Sequence, residues 1–337
     1  MIYVHVPFCR SFCTYCDFYS EISCPGRNPE AVDGYLDDLC AEALSRRDEI
    51  AASLAVDTLY IGGGTPSVLP PSAFARILEA VGHGGFREFT VEVNPEDIVE
   101  KGEGYVRALL GLGVNRISMG VQSLSDGILR WMNRRHSADG AREAFGILRA
   151  AGVENISVDL ISGVPGLEDS VFEQTLREVC SWRPEHISAY QLGIEEGSAL
   201  ASMIERGECA EAPEEQCRGQ YEMACAILRE AGYFHYEISN WALPGREAVH
   251  NSAYWTRAPY VGLGPGAHSL SISEQGQTRS WNSQELRGWK RESETLCPEE
   301  IREEELMLGL RTARGAGGRT IPESDWFVAD DIISGLL

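Results

Sequence analysis

Short apolar runs alternate with longer amphipathic segments over residues 1–205. Six of these runs are rich in β-branched and aromatic residues, as expected of buried strands. Between them, apolar residues recur at helical spacing, as Ala141, Phe145 and Leu148 do within 138–151. The predicted strands are Ile2–Val6, Thr58–Ile61, Glu88–Val93, Asn115–Met119, Asn155–Ile161 and His186–Gln191, and the predicted helical segments are Pro29–Ser53, Pro71–Gly82, Ser137–Ala151 and Asp169–Trp182.

Strands that alternate with helices in this way predict βα units around a parallel sheet. The glycine and polar motifs of this half lie just after the predicted strands, at the sheet edge where barrels and open α/β sheets bind their ligands. Six units are fewer than the eight of a closed TIM barrel. We therefore predict an α/β fold with an incomplete (β/α)6, TIM-barrel-like core over residues 1–205, open on one side.

The alternation weakens after residue 205. A long helix is predicted over 213–231, an aromatic and glycine-rich segment over 233–271, and a charged helix over 298–312. We predict that residues 206–337 form a smaller, α-rich region packed beside the barrel.

The acidic composition narrows the classes of partner. Of 337 residues, 29 are Lys or Arg and 51 are Asp or Glu, so the formal net charge is −22. Such a surface repels phosphate backbones and anionic headgroups. No apolar run reaches the ~20 residues of a membrane span, and the N-terminal segment lacks the basic start of a signal peptide. These features predict a cytoplasmic protein without nucleic-acid partners and without stable membrane insertion.

Cysteines cluster near the start of the chain. Cys9, Cys13 and Cys16 have the spacing C-x3-C-x2-C directly after the first predicted strand. In a reducing compartment, clustered thiolates indicate a metal or iron–sulfur site more than disulfides. A structural zinc ion is the alternative, but it requires a fourth Cys or His, and Cys24 and His5 lie at unmatched spacing. A four-iron cluster held by three thiolates would leave one iron open to a small ligand.

The cysteine triplet, with Tyr15 before its third member, resembles the signature of radical S-adenosylmethionine (SAM) proteins. In that family a reduced [4Fe–4S] cluster cleaves SAM to a 5′-deoxyadenosyl radical. The chain further resembles the oxygen-independent coproporphyrinogen III oxidase branch nearly end to end. The segments that carry this resemblance are YVHVPFC at 3–9, GGGTPS at 62–67, EVNP at 92–95, SMGVQ at 118–122 and VDLISGVP at 158–165.

The resemblance implies a radical-SAM barrel in which Cys9, Cys13 and Cys16 bind the [4Fe–4S] cluster, and it assigns no catalytic side chain. Taken alone, each of the other motif residues is as typical of a turn or a helix-terminal charge as of a binding site. Because they lie at successive strand ends, together they favour one binding site. Glycines allow close backbone approach, carboxylates accept from an ammonium group, and arginine suits a carboxylate. The residues that the resemblance assigns to SAM are Tyr3, Gly63, Gly64, Thr65, Glu92, Gln122, Arg134 and Asp159.

Two subgroups of this branch differ two positions after the third cysteine. The oxidases have a fourth cysteine there, whereas this chain has Phe18. That form resembles the oxidase-like haem chaperones, which bind haem and pass it to respiratory apoproteins. We expect a haem chaperone with haem or porphyrin as cargo and haem-accepting apoproteins as partners. The alternative is an enzyme for oxidative decarboxylation of coproporphyrinogen III in porphyrin biosynthesis, and a third hypothesis, RNA modification, conflicts with the acidic charge.

Haem ligands are suggested by a later segment. His250 begins HNSAYW, which resembles the H-N-x-x-Y-W segment implicated in haem binding in the chaperone group. A neutral imidazole is a normal axial ligand, and Tyr254 and Trp255 could cover the macrocycle. A hydrogen-bonded loop histidine is the alternative for His250, and His268 is a weaker haem candidate.

The resemblance also bears on the C-terminal region. Family members usually continue into a winged-helix-like module after a segment such as 304–311. Because the sequence stops at Leu337, we expect that helical module to be truncated.

Overall fold

The predicted strands form the middle of one sheet in this computed structural model, which describes residues 1–22 and 28–337. Their side chains are buried on both faces, as expected of strands that line a barrel inside and meet helices outside. In chain order the strands are β1 (Ile2–Val6), β2 (Phe8–Cys9), β3 (Glu21–Ile22), β4 (Thr58–Gly63), β5 (Glu88–Val93), β6 (Arg116–Gln122), β7 (Ile156–Ser162), β8 (His186–Gln191), β9 (Phe234–Glu237), β10 (Asn240–Ala242), β11 (Val261–Leu263), β12 (His268–Ser273), β13 (Gly276–Asn282) and β14 (Arg291–Leu296).

Helices follow the strands with clear start and stop signals. The Ser137 side chain caps the helix that follows it by accepting from the Gly140 amide, and Gly152 ends that helix with a φ of 101°. The predicted helical segment 29–53 is interrupted at Arg46. The helices are α1 (Pro29–Ser45), α2 (Arg47–Ser53), α3 (Pro71–Val81), α4 (Pro95–Gly111), α5 (Asp126–Trp131), α6 (Ala138–Ala151), α7 (Asp169–Trp182), α8 (Ala199–Glu205), α9 (Glu214–Glu230), α10 (Val249–Trp255), α11 (Pro298–Gly309) and α12 (Ala329–Ser334), with 3-10 turns at Pro66–Val68 and Glu323–Val328.

The main sheet has nine strands in the order β11-β1-β4-β5-β6-β7-β8-β10-β9. Neighbours from β11 to β8 are parallel, whereas β10 is antiparallel to β8 and to β9. Over the described ranges, β9 and β11 do not pair with each other, so the barrel stays open. The incomplete barrel predicted from six βα units is therefore confirmed.

The region after residue 205 contains the two predicted helices, α9 and α11, together with α10, α12 and several strands. Strands β9, β10 and β11 extend the main sheet at both edges, and β12–β14 form a separate antiparallel sheet. The division into 1–205 and 206–337 stays a prediction. Both parts contribute strands to the main sheet, so the sheet itself does not mark a boundary between them. None of the helices in residues 1–22 and 28–337 has the length and apolar character needed to cross a membrane.

Two apolar clusters hold these layers together. The larger lies between the main sheet and its helices and includes Phe74 of α3 and Phe89 of β5, both almost fully buried. The smaller joins the end of α11 to the C-terminal turns around Trp326. The larger cluster supports the strand ends, and therefore positions the residues of the cavity described next.

Candidate functional site

The cysteine triplet lies at the carboxyl end of β1, where it borders a cavity of about 390 Å³. The loop is tied to the end of α5, because the Thr14 amide donates to the Met132 carbonyl at 3.1 Å and the Thr14 hydroxyl to the Trp131 carbonyl at 2.8 Å. Gly64 packs against the loop, and a Cβ there would lie 3.0 Å from Cys9 Sγ. The sequence therefore folds the triplet into a supported loop that faces the cavity.

The spacing of the sulfur atoms bears on which metal group fits. With Zn–S bonds of about 2.3 Å, the sulfurs around one tetrahedral zinc ion lie about 3.8 Å apart. In the described part of the chain, one group of His, Cys and acidic side chains has all its ligand atoms within 4.8 Å of one another. This group is Cys225, His235 and Glu323, and it does not include the triplet. The triplet is thus more open than a single zinc ion requires, as a larger cluster needs. Cys24, considered as a fourth ligand, lies outside the described residues.

Arg134 connects the cysteine loop to two strand ends. Its guanidinium donates to Cys13 Sγ at 3.4 Å, to Asn94 Oδ1 at 2.7 Å and to the Gly120 carbonyl at 2.9 Å. Burial raises the pKa of the Cys16 thiol to about 11 and also raises that of Cys9. Since thiolates and not thiols bind metals, the adjacent cation and a bound metal group would both favour the ligating form.

Glu92 of β5 is a partly buried carboxylate at the carboxyl end of the sheet. It accepts from the Tyr60 hydroxyl at 2.7 Å and from the Gly63 amide at 3.1 Å. Burial raises its pKa to about 7. Among the described residues no Lys, Arg or His lies within ion-pair distance of it, so this carboxylate is available to a cationic group of a ligand.

Asp159 of β7 faces the same cavity. The hydroxyls of Ser118 and Ser188 donate to its two oxygens at 2.9 and 2.8 Å, and burial raises its pKa. Gln122 follows a register shift between β6 and β7 and has a φ of 65°, which turns its side chain into the cavity. The strand ends therefore present acceptors and amide groups toward one space.

Sequence reasoning missed Arg116. It is 2% exposed and lines the inner part of the cavity, and its Nε has no hydrogen-bond partner in the described residues. A charged residue at the start of an otherwise apolar strand is the signal that could have indicated it. Two positioning residues were also missed. Asn94 holds Arg134 and Tyr60 holds Glu92, but the sequence around them indicates no specific role for either side chain.

Ten of the eleven residues predicted for the cluster and SAM line this cavity. Tyr3 is the exception, because it borders a neighbouring groove and its hydroxyl lies 3.1 Å from His5 Nδ1. Their assignment to the two cofactors stays a prediction. The ten are Cys9, Cys13, Cys16, Gly63, Gly64, Thr65, Glu92, Gln122, Arg134 and Asp159.

His250 lies apart from this cavity on α10. It is 1% exposed, its Nδ1 lies 2.8 Å from the Thr58 hydroxyl, and its Nε2 lies 3.2 Å from the Tyr254 hydroxyl. Burial lowers its pKa to about 3. The helix start is fixed by Glu88, which accepts from the amides of residues 249 and 250. The haem role of His250 stays a prediction, and both ring nitrogens already have partners.

Comparison with known proteins identifies relatives over most of the chain. Residues 3–179 match the Radical SAM superfamily. The heme chaperone HemW of Synechocystis is 34% identical, over 95% of this chain and 80% of that protein. HemW of Bacillus subtilis is 32% identical, over 95% and 86%, and the mitochondrial radical S-adenosyl methionine domain-containing protein 1 of Danio rerio is 33% identical, over 93% and 73%.

Among solved structures, coproporphyrinogen III oxidase (HemN) from Escherichia coli has a TM-score of 0.72 at 21% identity, covering 92% of this chain and 75% of that one. This likeness confirms the predicted radical-SAM fold. The sequence relatives confirm the predicted subgroup. The chain therefore belongs to the Radical SAM superfamily and, within it, to the HemW family.

Proposed function

We propose that this protein is a haem chaperone that holds a [4Fe–4S] cluster, binds SAM and haem, and delivers haem to an apoprotein. The observation that carries the proposal is the convergence of three cysteines, Glu92 and Arg134 on one cavity, in a chain whose relatives at 32–36% identity are named heme chaperones. The cavity volume lies within the range of small-molecule sites. The cytoplasm as location and a haem-accepting apoprotein as partner belong to the same proposal.

Superfamily membership implies a [4Fe–4S] cluster and SAM, and the side chains fit both. Cys9, Cys13 and Cys16 would hold the cluster, which when reduced supplies the electron that cleaves SAM. Glu92 would accept from the methionyl ammonium group, since no Lys, Arg or His of the described residues forms an ion pair with its carboxylate. Arg134 donates a hydrogen bond to Cys13 Sγ and would neutralise the charge of the Cys13 thiolate.

The ribose and adenine would lie against the strand ends. Asp159 already accepts from three serines, Ser118, Ser157 and Ser188, and its carboxylate keeps one lone pair for a hydroxyl donor of the ligand. Gln122 offers both an amide donor and an acceptor. Gly63 and Gly64 allow the backbone to approach the ligand, and the hydroxyl of Thr65 lies 3.5 Å from Cys9 Sγ, at the boundary between the SAM residues and the cluster residues.

The decisive experiment combines haem binding with an assay for the alternative activity. Anaerobically prepared, cluster-loaded protein is titrated with ferric hemin, and separately incubated with coproporphyrinogen III, reductant and SAM. We expect binding of about one hemin per chain and no decarboxylated product. Turnover at an ordinary enzymatic rate would favour the oxidase, and absence of hemin binding would contradict the chaperone function.

The cluster requires its own control. A Cys13→Ala variant should lose bound iron and sulfide, whereas a Cys297→Ala variant, whose thiol is exposed and far along the chain, should keep them. Zinc in place of iron and sulfide in anaerobic preparations would contradict the cluster assignment.

A further inference from the structure

A second depression, here called the aromatic groove, lies beside the cysteine loop and outside the main cavity. It has a volume of about 350 Å³, and Phe18 from the loop, Tyr254 from α10, Tyr260 and His268 line it. Phe18 is 65% exposed, which is unusual for a large apolar side chain. The groove therefore offers aromatic faces next to the cluster loop without a protein group covering them in the described residues.

Only one histidine of the chain has a ring without a hydrogen-bonded partner in the described residues. Haem iron bound by histidine needs an imidazole nitrogen with a free lone pair. Two histidines line the groove, and both ring nitrogens of His5 already have partners, which leaves His268. His268 is exposed, and its side chain forms no hydrogen bond or ion pair with any residue in 1–22 and 28–337. The other six, each with a polar atom near a ring nitrogen, are His5, His83, His136, His186, His235 and His250.

His268 is also held in a defined position. It begins β12, opposite Trp281 of β13, and the two rings are nearly parallel with centroids 6.3 Å apart. Partial burial lowers its pKa, so the ring is neutral at pH 7 and keeps a lone pair. A planar, apolar ligand with a metal at its centre can use this imidazole and stack on nearby rings.

His250 contributes to the same groove indirectly. Its Nε2 lies 3.2 Å from the Tyr254 hydroxyl, and the ring of Tyr254 packs edge-on against Tyr260 at 4.8 Å. Both tyrosines line the groove. His250 thus fixes the orientation of a groove wall while its own ring stays buried.

We propose that haem binds in the aromatic groove with His268 as its axial ligand, and that His250 is a positioning residue that holds Tyr254. This inference rests on the proposed function and names its cargo site. It places the haem beside the cysteine loop, in a groove that shares Asp17 and Phe18 with the main cavity.

The test compares three histidine variants with wild type in the cluster-loaded full chain. Ferric hemin is added to wild type, His268→Ala, His250→Ala and His83→Ala, the last being a half-exposed histidine paired with Asp57. Electron paramagnetic resonance reports the axial ligand, because an oxidised [4Fe–4S] cluster gives no competing signal. His268→Ala should lose the imidazole-ligated signal, bind hemin at least tenfold more weakly, and regain the signal with added imidazole.

The other variants separate ligation from positioning. His250→Ala should keep the imidazole-ligated signal with a smaller loss of affinity, and Tyr254→Phe, which breaks the same contact without touching His250, should behave likewise. His83→Ala should match wild type. Retention of the signal in His268→Ala, or its loss in His250→Ala with Tyr254→Phe unaffected, would overturn the assignment. A wild-type chain that binds no hemin would instead overturn the proposed function itself.

Discussion

Glu92 should make the apoprotein less stable as the pH rises through neutrality. Its folded-state pKa is about 7, above the ordinary value of 4.5, because removal from water penalises the charged carboxylate and the nearby Arg116 guanidinium offsets only part of this penalty. The folded protein therefore binds this proton more tightly than the unfolded chain does. Stability from this group is fully present below pH 4.5 and is lost as the pH rises to about 7.

The size of the effect follows from the two pKa values. Between pH 5 and pH 8 the linkage relation gives a loss of about 2–3 kcal/mol in the free energy of unfolding. A Glu92→Gln substitution mimics the protonated side chain and removes this loss. The variant should thus match wild type near pH 5 and be the more stable protein by about 2–3 kcal/mol at pH 8.

Urea unfolding of cluster-free protein at several pH values provides the measurement, with the difference between variant and wild type as the quantity compared. Glu103→Gln on the surface of α4 removes the same charge at an exposed position and should leave the pH dependence unchanged. A Glu92→Gln variant whose stability falls with pH as steeply as wild type would refute the reasoning. Such a result would mean that Glu92 is solvated or paired in solution.

Three further outcomes follow from the geometry. Gly64→Ala should lower bound iron several-fold, since a Cβ there meets Cys9 Sγ at 3.0 Å, whereas Gly84→Ala, with nothing within 4 Å, should keep wild-type iron content. Arg134→Met should weaken SAM binding at least tenfold in equilibrium dialysis, because three hydrogen bonds that position the cavity wall are lost; unchanged affinity would contradict this role. Trp326→Ala should destabilise the C-terminal cluster by about 3–5 kcal/mol and accelerate limited proteolysis there; equal cleavage rates would contradict it.

Local patterning was sufficient for the barrel and for the strand-end residues. The apolar runs specify β1 and β4–β8, and parallel strands bring their carboxyl ends to one edge, which is why Glu92 and Asp159 could be assigned to one site before any coordinates. The pairing of β11 with β1 depends on contacts between residues more than 250 positions apart, which periodicity does not encode.

Side-chain environment was harder to infer. The sequence shows only that His250 and His268 lie in aromatic-rich and glycine-rich segments. The fold shows that the His250 ring is enclosed by Thr58 and Tyr254, whereas the His268 side chain is exposed to solvent. Arg116 stands out in the sequence only as a charge at the start of an apolar strand, and the fold is needed to show that its side chain is buried against the cavity.

The pairing of β1 with β11 has a consequence for biogenesis. One edge of the strand that leads into the cysteine loop stays bare until Val261–Leu263 have left the ribosome. At about 5–20 residues per second, translation of that interval takes roughly 10–50 s. Iron and sulfide delivered during that time would meet an unfinished sheet, so loading of this protein belongs after β11 has paired with β1.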